Sequence, residues 1–486
     1  MISRGEPREH QPARPLSNRA IALGAVIVLG IGAVAWTVLL WRYGSADPGV
    51  ELDAIRTAGT VMVGVGGLAA LWLAARRQRS TELTLEHERE NAAEQRLTEL
   101  YTRAVDQLGA EKAPVRLGGL HALERLAQSN PTQRQTIVDV ICAYLRMPYT
   151  PPDDQAPGED APEDAHRRYE QRRQELQVRL TAQRILAAHL KPETEAAFWA
   201  DIDLNLTEAY LHQFDLTACH VQGAQFRGAT FAGDAAFDWV RFAGTVGFRD
   251  AKFAGDAHFT EAEFAGTAGF RDAKFAGNAW FGDAKFAGTA ELGDAKFAGA
   301  ASFGGVKFAG AASFGGVKFA EGAVFRGAEF AGKAMFSKAT FARHAEFDEA
   351  IFGGDVGFSG AEFIRHAMFE KAKFTRLAGF RDVKFGTVEF GGDADFCKAE
   401  FGGNAWFDDA TFGGDARFDD VTFTGIKKID RACVAPNPRH IVLPMGWTTR
   451  AAQPAEGEEE GWLYVVRDEE SSERPTEASD DDSDQL

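Results

Sequence analysis

Large apolar residues, almost all of them phenylalanine, recur at short fixed intervals through much of this 486-residue chain, and this repeat limits the possible folds more than any other feature. The interval is five residues from Leu206 onward, and it then alternates between six and five residues as far as Phe423. Of the 38 phenylalanines, 36 belong to the series, and Leu292 replaces phenylalanine once. The step from Phe385 to Phe390 is five residues where six is due. The residue two positions before each series phenylalanine is alanine or valine.

Three kinds of structure can carry an apolar repeat of eleven residues. In an α-helical supercoil, steps of five and six would place successive phenylalanines about 140° apart, so no single seam would form. In a straight strand, odd steps would place alternate phenylalanines on opposite faces. The chain must therefore bend after each short strand, which predicts a β-solenoid with every phenylalanine inside. Glycines such as Gly233, Gly244, Gly255 and Gly266 are expected at corners that need unusual backbone angles.

The inward positions of the repeat are the predicted structural core. The series from Leu206 to Phe423 contains 41 such positions. Each buried phenylalanine contributes about 1.5–3 kcal/mol. The predicted core positions of the first coils are Phe226, Phe231, Phe237, Phe242, Phe248, Phe253, Phe259, Phe264, Phe270, Phe275, Phe281, Phe286, Leu292, Phe297, Phe303, Phe308, Phe314 and Phe319.

The units A-x-F-x-x and A-x-F-x-x-x resemble the pentapeptide-repeat family, whose members form right-handed quadrilateral β-helices. In that family the central large residue and the small residue two before it fill the interior. The resemblance covers about residues 204–425 and implies an all-β solenoid over 201–425. This chain differs in using phenylalanine rather than mainly leucine, and in its six-residue units. The segments YTRAVDQLGAEKAPVRLGGLHALERLAQ and WADIDLNLTEAYLHQFDL resemble flanking parts of uncharacterised bacterial membrane-anchored pentapeptide-repeat proteins.

Two uncharged apolar segments predict two N-terminal transmembrane helices, at residues 20–41 and 57–75. Their helical lengths would be about 33 Å and about 28 Å. Arginines are concentrated in residues 1–19 and directly after the second segment, whereas the intervening residues 42–56 are acidic. The positive-inside rule therefore predicts a multi-pass protein of the bacterial plasma membrane, with a short external loop and both termini in the cytoplasm. Small residues four apart in the two segments leave homodimerisation open.

The remaining segments surround the solenoid. Residues 76–148 predict a small all-α cytoplasmic domain with a HEAT-like hairpin, and residues 149–165 a linker rich in proline and acidic residues. A helix at 166–200 leads into the repeat, and residues 426–450 are the expected C-terminal cap. Solenoid ends need such covering, so the helices before residue 200 are expected to cap the other end. Residues 451–486 form an acidic tail that we expect to be disordered, interrupted by a short strand near 462–466.

The sequence offers no catalytic, cofactor or metal site. His344 and His366 are 22 residues apart and should lie one coil apart, but no third ligand accompanies them. His121 is expected on the apolar side of its helix. The four cysteines lack the paired spacing of metal ligands. The 22-residue spacing also predicts surface columns that serve solubility. One face should carry Lys252, Lys274, Lys296 and Lys318 beside Asp250, Asp272 and Asp294, and the opposite face Lys285 and Lys307.

Composition and architecture together predict a non-enzymatic scaffold that presents its solenoid to a protein partner in the cytoplasm. Residues 20–75 are expected to anchor it in the membrane bilayer. The alternative is a DNA mimic that inhibits a topoisomerase. Residues 202–425 hold 31 acidic and 22 basic residues, about one negative charge per coil, which is far below the charge density of DNA. A net charge of −18 and a pI of about 5.2 also make nucleic acid an unexpected partner. The residues do not identify the protein partner.

Overall fold

A computed structural model gives the conformation of residues 26, 30–38, 41–42, 48–153, 155–193, 196–386, 392–435, 440–451 and 462–468. The chain divides into two compact units, Met1–Glu99 and Leu100–Leu486.

The described residues of the first unit are helical. Helix α1 spans Pro48–Leu108, so most of the loop predicted at residues 42–56 is helical instead. Half of the predicted membrane segment 20–41 lies outside the described residues, and the described half is helical. No helix in the described ranges is long and apolar enough to cross a membrane. The predicted span at 57–75 therefore lacks support in the structure. Glycine and threonine dilute its apolar residues, and it is one part of a 61-residue helix that is charged beyond it.

In the second unit, a small group of helices precedes the solenoid. Helix α2 spans Ala113–Ser129, and a short 3₁₀ turn at Pro131–Gln133 leads directly into helix α3 at Arg134–Arg146. Helix α4 spans Glu163–His189, three residues earlier than the repeat-leading helix was predicted to begin. Apolar side chains at helical spacing form the shared core of this group, as the sequence predicts. The buried leucines and isoleucines include Leu120, Leu123, Ile137, Ile141 and Ile185.

The repeat region forms four parallel sheets that are visited in turn by the chain, so the predicted four-sided β-solenoid is confirmed. We call the sheets face 1 to face 4 in the order of the chain. Face 1 consists of Asp203–Asn205, Gly223–Gln225, Val246–Gly247, Ala268–Gly269, Ala290–Glu291, Ala312–Ser313, Ala334–Met335, Val356–Gly357, Ala378–Gly379, Ala405–Trp406 and Lys427–Lys428. Face 2 consists of Tyr210–His212, Thr230–Ala232, Lys252–Phe253, Lys274–Phe275, Lys296–Phe297, Lys318–Phe319, Thr340–Phe341, Glu362–Phe363, Lys384–Phe385, Thr411–Phe412, Cys433–Val434, Trp447–Ala451 and Leu463–Arg467.

Faces 3 and 4 lie opposite faces 1 and 2 in the chain's circuit. Face 3 consists of Ala235–Ala236, Ala257–His258, Ala279–Trp280, Ala301–Ser302, Ala323–Val324, Ala345–Glu346, Ala367–Met368, Ala394–Asp395, Ala416–Arg417 and Ile441–Val442. Face 4 consists of His220–Val221, Arg241–Phe242, Glu263–Phe264, Lys285–Phe286, Lys307–Phe308, Glu329–Phe330, Ile351–Phe352, Lys373–Phe374, Glu400–Phe401 and Thr422–Phe423. Because most strands contain only two residues, each must draw its stability from the coils on either side.

The irregular step in the repeat is an insertion within one coil. Most neighbouring strands pair residues that are 22 apart, but Ala367 pairs with Ala394 on face 3 and Lys384 pairs with Thr411 on face 2. Both separations are 27 residues, so this coil holds one additional five-residue unit. Phe390 belongs to the residues outside the described part. After the insertion the regular pairing resumes, because the strands on either side of it pair directly with each other.

The helices cap the N-terminal end of the solenoid, as predicted. The side-chain amide of Gln135 donates to the C=O of Asp203 and accepts from its N–H, at 2.9 Å each, so it completes the edge of face 1. Gln183 makes the same two contacts with His212 at the edge of face 2, at 2.9 and 3.1 Å. On face 4 the C=O of Leu190 accepts the N–H of the first strand at 2.7 Å. Edge groups that would otherwise lack partners are thus satisfied.

The C-terminal cap covers one face in particular. Strand Leu463–Arg467 lies antiparallel to Cys433–Val434 and to Trp447–Ala451, which extends face 2 by two strands. The predicted short strand in the tail is therefore confirmed, while most of the remaining tail lies outside the described residues. Face 4 ends earlier, and its last ring, Phe423, is only half-buried. Lys427 lies over this ring, with its Nζ 5.5 Å from the ring centre.

Candidate interaction surface

The structure places all eighteen predicted core residues in the interior, each at most 1% exposed. Their rings stack on the equivalent rings one coil away. For example, the ring centres of Phe253 and Phe275 are 4.6 Å apart at an angle of 3°. Rings on opposite faces meet edge to face, as Phe259 and Phe270 do at 5.5 Å. These are the favourable geometries for aromatic pairs. The interior is therefore filled with side chains, and recognition falls to the outward ones.

Phe214 was not part of the predicted series, yet it is 1% exposed. It occupies the small-residue position two before Leu216, and its ring centre lies 5.9 Å from that of Phe226 and 6.0 Å from that of Phe231. The first coil has room for it because its inward residues are the smaller Leu211, Leu216 and Val221. The sequence did contain a sign that Phe214 is buried, because it stands where the repeat has alanine and its neighbours in the series are not aromatic.

The five-residue corners, which follow faces 1 and 3, contain a residue in the left-handed region. It stands two positions after the inward residue, as with Asp272 (φ 59°) and Asp283 (φ 57°). Aspartate tolerates this conformation better than most residues. The glycines of the six-residue units were predicted to need unusual backbone angles, and this is wrong for three of the four named. Only Gly233 has a positive φ, at 74°. Gly255 is needed for space instead, because a Cβ there would lie 2.5 Å from the carbonyl carbon of Gly233 in the preceding coil.

Outward residues form columns one coil apart, and face 4 is balanced in charge. Lys285 and Lys307 are adjacent in register, as predicted, but each forms an ion pair with a glutamate on its other side. Lys285 lies 2.9 Å from Glu263, and Lys307 lies 3.2 Å from Glu329. Because all four side chains are solvent-exposed, each pair contributes little to stability. The column is neutral over these four coils.

Face 2 has a different pattern. Lys252, Lys274, Lys296 and Lys318 are paired in direct register along four successive coils, and all are exposed. None of the four has an acidic partner within 4.0 Å among the described residues. The strands before and after the run present Thr230 and Thr340. Like charges opposite each other in a sheet are destabilising. We call these four residues the lysine column.

Faces 1 and 3 carry few charges over the same coils. The outward residues of face 3 from Ala236 to Val324 include no lysine, arginine, aspartate or glutamate. Trp280 is one of them, and it is 39% exposed. On face 1 the outward residues include Gly247 and Gly269, which leave that face flat. The four faces therefore offer three different chemistries to a partner.

Histidine and cysteine provide no metal site in the part of the chain that the structure describes. His344 and His366 lie one coil apart as predicted, with ring centres 5.1 Å apart. The Nδ1 of His366 faces Asp393 at 3.2 Å. Burial raises the pKa of the Cys142 and Cys219 thiols to about 12, so neither is a reactive thiolate at neutral pH.

The helical cap contains a polar cluster that the sequence did not indicate. The ring of His189 stacks on Trp199 at 3.9 Å, and its two nitrogens face the C=O of Ala197 (2.7 Å) and the carboxylate of Glu124 (2.9 Å). His121 was expected on the apolar side, but its side chain is 61% exposed and lies 2.9 Å from Glu124. The cluster joins α2 to α4, so its role is structural.

A second polar group in the cap is also structural. Arg179 is 3% exposed and donates to the C=O groups of Leu145 and Met147 at 2.9 and 2.7 Å, and to Glu175 at 2.9 Å. A buried guanidinium is costly if it is left unpaired, and here every nitrogen has a partner, two of them at the C-terminal end of α3 and one on its own helix. It holds the end of α3 against α4.

Comparison with protein families found one match, to the family described as Pentapeptide repeats (9 copies). It matches residues 216–263, 248–296, 292–340, 303–351, 336–384 and 385–426. These residues correspond to nearly the whole solenoid. Comparisons with curated proteins and with solved structures found no match.

Proposed function

Since the chain belongs to the pentapeptide-repeat family, we propose that it is a non-enzymatic scaffold, anchored to the bacterial plasma membrane, whose solenoid presents its outer faces to a protein partner in the cytoplasm. The observation that carries this proposal is the arrangement of outward side chains. They stand in straight columns over about ten coils, on a filled interior, and the faces differ in charge. A rigid surface with a fixed spacing is suited to recognising another macromolecule.

The membrane anchor is proposed on the residue pattern of 20–75. The positive charges that flank this region and the acidic residues between its two apolar segments support the topology with both termini in the cytoplasm. Apolar side chains on α1 are exposed, among them Val63 (77%), Leu71 (70%) and Trp72 (58%). The guanidinium of Arg76 lies 5.4 Å from the Trp72 ring centre. A tryptophan next to an arginine at the end of an apolar segment is typical of a membrane interface.

Partner binding is tested with face-specific variants of the full chain, captured from native membranes after mild crosslinking. The three variants are K274E/K296E on face 2, W280K/S302K on face 3 and K285E/K307E on face 4. Because the partner contacts particular faces, we expect one variant to lose about tenfold or more of the captured partner while the others retain it. Equal capture by all three variants and the unaltered chain would contradict an interaction through face 2, 3 or 4.

The membrane anchor needs a separate test. Carbonate extraction should leave the full chain in the membrane pellet, because proteins that span the bilayer resist it. Alkaline phosphatase inserted after Asp47 should be active, and the same enzyme inserted after Arg79 should be inactive, since the first site faces outward. Release by carbonate, or activity at both sites, would remove the anchor from the proposal and leave the scaffold in place.

The DNA-mimic alternative receives less support. A mimic of duplex DNA needs dense negative charge along its length. Face 2 carries four successive lysines, and the glutamates of face 4 are neutralised by lysines on adjacent coils.

A further inference from the structure

The lysine column differs from the other charged positions of the solenoid. Lysines on face 4 and the later Lys384 on face 2 are each matched by a glutamate one coil away. The column's four lysines have no such match among the described residues, although the chain carries a net charge of −18. The rings of Phe253, Phe275 and Phe297, which follow the first three lysines in the chain, stack with their centres 4.5–4.6 Å apart. The result is a straight line of positive charge on an otherwise acidic protein.

No acidic side chain of the corners beside the column lies within 4.0 Å of its lysines among the described residues. Of the three aspartates in the preceding corner, Asp250 lies 3.6 Å from Arg249 and Asp294 lies 4.0 Å from Arg271, whereas Asp272 has no arginine or lysine within 4.0 Å in the described part of the chain. The following corner carries few acidic residues. There the carboxylate of Asp256 accepts the N–H of Asn278, and Glu321 lies 3.6 Å from Arg343. The ammonium groups of the column therefore remain available to an external anion.

The chain itself contains a segment with the complementary charge. Residues 469–486 hold eight acidic residues and one arginine. Four of the acidic residues lie close together near the end, namely Asp480, Asp481, Asp482 and Asp484. This segment follows strand Leu463–Arg467, which is itself part of face 2. The acidic segment thus leaves the described structure on the face that carries the lysine column.

The distances also agree. Six strand spacings separate Leu463–Arg467 from the Lys318 strand in the order of face 2, and nine separate it from the Lys252 strand. At about 4.8 Å each, these separations are about 29 and about 43 Å. The seventeen residues from Asp468 to Asp484 can span up to about 55 Å when extended. The acidic segment is therefore long enough to lie along the whole column.

We propose that the acidic segment 469–486 binds the lysine column of its own chain, so that it covers this part of face 2. Binding within one chain benefits from an effective concentration of about millimolar order, so weak ion pairs are sufficient. The inference does not depend on the proposed function, because both binding elements belong to this chain. A competing ligand for the column would be another acidic, extended peptide.

The test measures how fast single lysines are acetylated by an N-hydroxysuccinimide ester, with the sites located by mass spectrometry. In low salt, Lys274 and Lys296 should react about threefold or more slowly in the full chain than in a chain that stops after Asp468. Lys285 and Lys307 provide the matched control on face 4, and their rates should be the same in both chains. In about 0.5 M salt the difference should disappear, because the charges are screened.

A second variant keeps the length of the segment and removes four of its eight acidic charges, those farthest along the segment. Changing Asp480, Asp481, Asp482 and Asp484 to asparagine should raise the rates at Lys274 and Lys296 to those of the shortened chain. Equal rates at these lysines with and without the segment would overturn the proposal. It would also be overturned if vesicles of phosphatidylglycerol slowed the column lysines while the segment had no effect, because the ligand would then be a lipid surface.

Discussion

A single inward ring is held by rings in its own coil and by one in each adjacent coil. Phe314 has its ring centre 4.7 Å from that of Phe336, onto which it stacks, and 5.5 Å from that of Phe303. The residue beneath it in the preceding coil is Leu292, which shows that one aliphatic side chain is tolerated in the stack. Shape can thus vary at an inward position, whereas polarity cannot.

We predict that Phe314→Asp unfolds several coils, because a carboxylate in this interior has no partner and a buried unpaired charge costs well over about 4 kcal/mol. Phe314→Leu is the control and should lose only about 1–2 kcal/mol. Limited proteolysis of the full chain gives the readout. A Phe314→Asp chain as resistant as the unaltered one would refute the inward assignment.

Glycines of the two corner types should respond differently to the same substitution. A Cβ at Gly277 would lie 2.5 Å from the C=O oxygen of Gly255, whereas at Gly282 the nearest atom outside the neighbouring residues is 3.9 Å away. We therefore expect Gly277→Ala to lower the free energy of unfolding by about 1–3 kcal/mol and Gly282→Ala to change it little. Denaturant titration measures both. Equal effects would mean that the close approach of adjacent coils is not the reason for the glycine.

At the scale of elements, the cap decides whether the first coil is protected. Gln183→Leu removes both hydrogen bonds at the edge of face 2 and leaves two backbone groups without partners, so we expect a loss of about 1–3 kcal/mol. Gln174→Leu on the exposed side of the same helix is the control. Hydrogen exchange should quicken at Tyr210–His212 in the first variant and stay unchanged in the second. Unchanged exchange in both would show that Gln183 is dispensable for the edge.

The polar cluster of the cap makes its stability depend on pH. Burial favours the neutral form of Glu124, but hydrogen bonds from His121 and His189 outweigh it and hold the pKa of the carboxyl below its usual value. The stabilisation is therefore complete above the ordinary pKa of about 4.3 and is lost as the pH falls through the lowered value. We expect Glu124→Gln to lower the Tm at pH 6 and to have little effect well below pH 4. A Tm difference that is independent of pH would contradict this.

At the scale of the whole molecule, the repeat predicted a solenoid, because alternating steps of five and six residues bury every ring only if the chain bends after each one, and the resemblance to the pentapeptide-repeat family implied its four faces. Features that depend on which residue lies one coil away were harder to predict. The sequence does not say whether a corner needs glycine for its backbone angle or for its small size. The structure shows that Gly255 is needed for its small size, because it packs against the preceding coil. The pairing of Lys285 with Glu263, and the lack of a partner for Lys274, became visible only with the register fixed.

The helices and the N-terminal region were harder to predict, for different reasons. The edge contacts of Gln135 and Gln183 join residues up to 68 positions apart, so no local pattern indicates them. The apolar segment at 57–75 was predicted as a transmembrane helix, and it is part of the longer helix Pro48–Leu108, which also includes much of the predicted external loop. Helix ends depend on neighbouring structure that composition does not contain.

The central claim is that successive residues of each unit alternate between a filled interior and solvent, and cysteine labelling tests it most directly. Ala273→Cys, Lys274→Cys and Phe275→Cys in the full chain are treated with a maleimide, and the modified site is located by mass spectrometry. Lys274→Cys should react as a free thiol, and the two neighbours about 100-fold or more slowly until the chain is denatured. Equal, rapid reaction at all three positions of the folded chain would contradict the account.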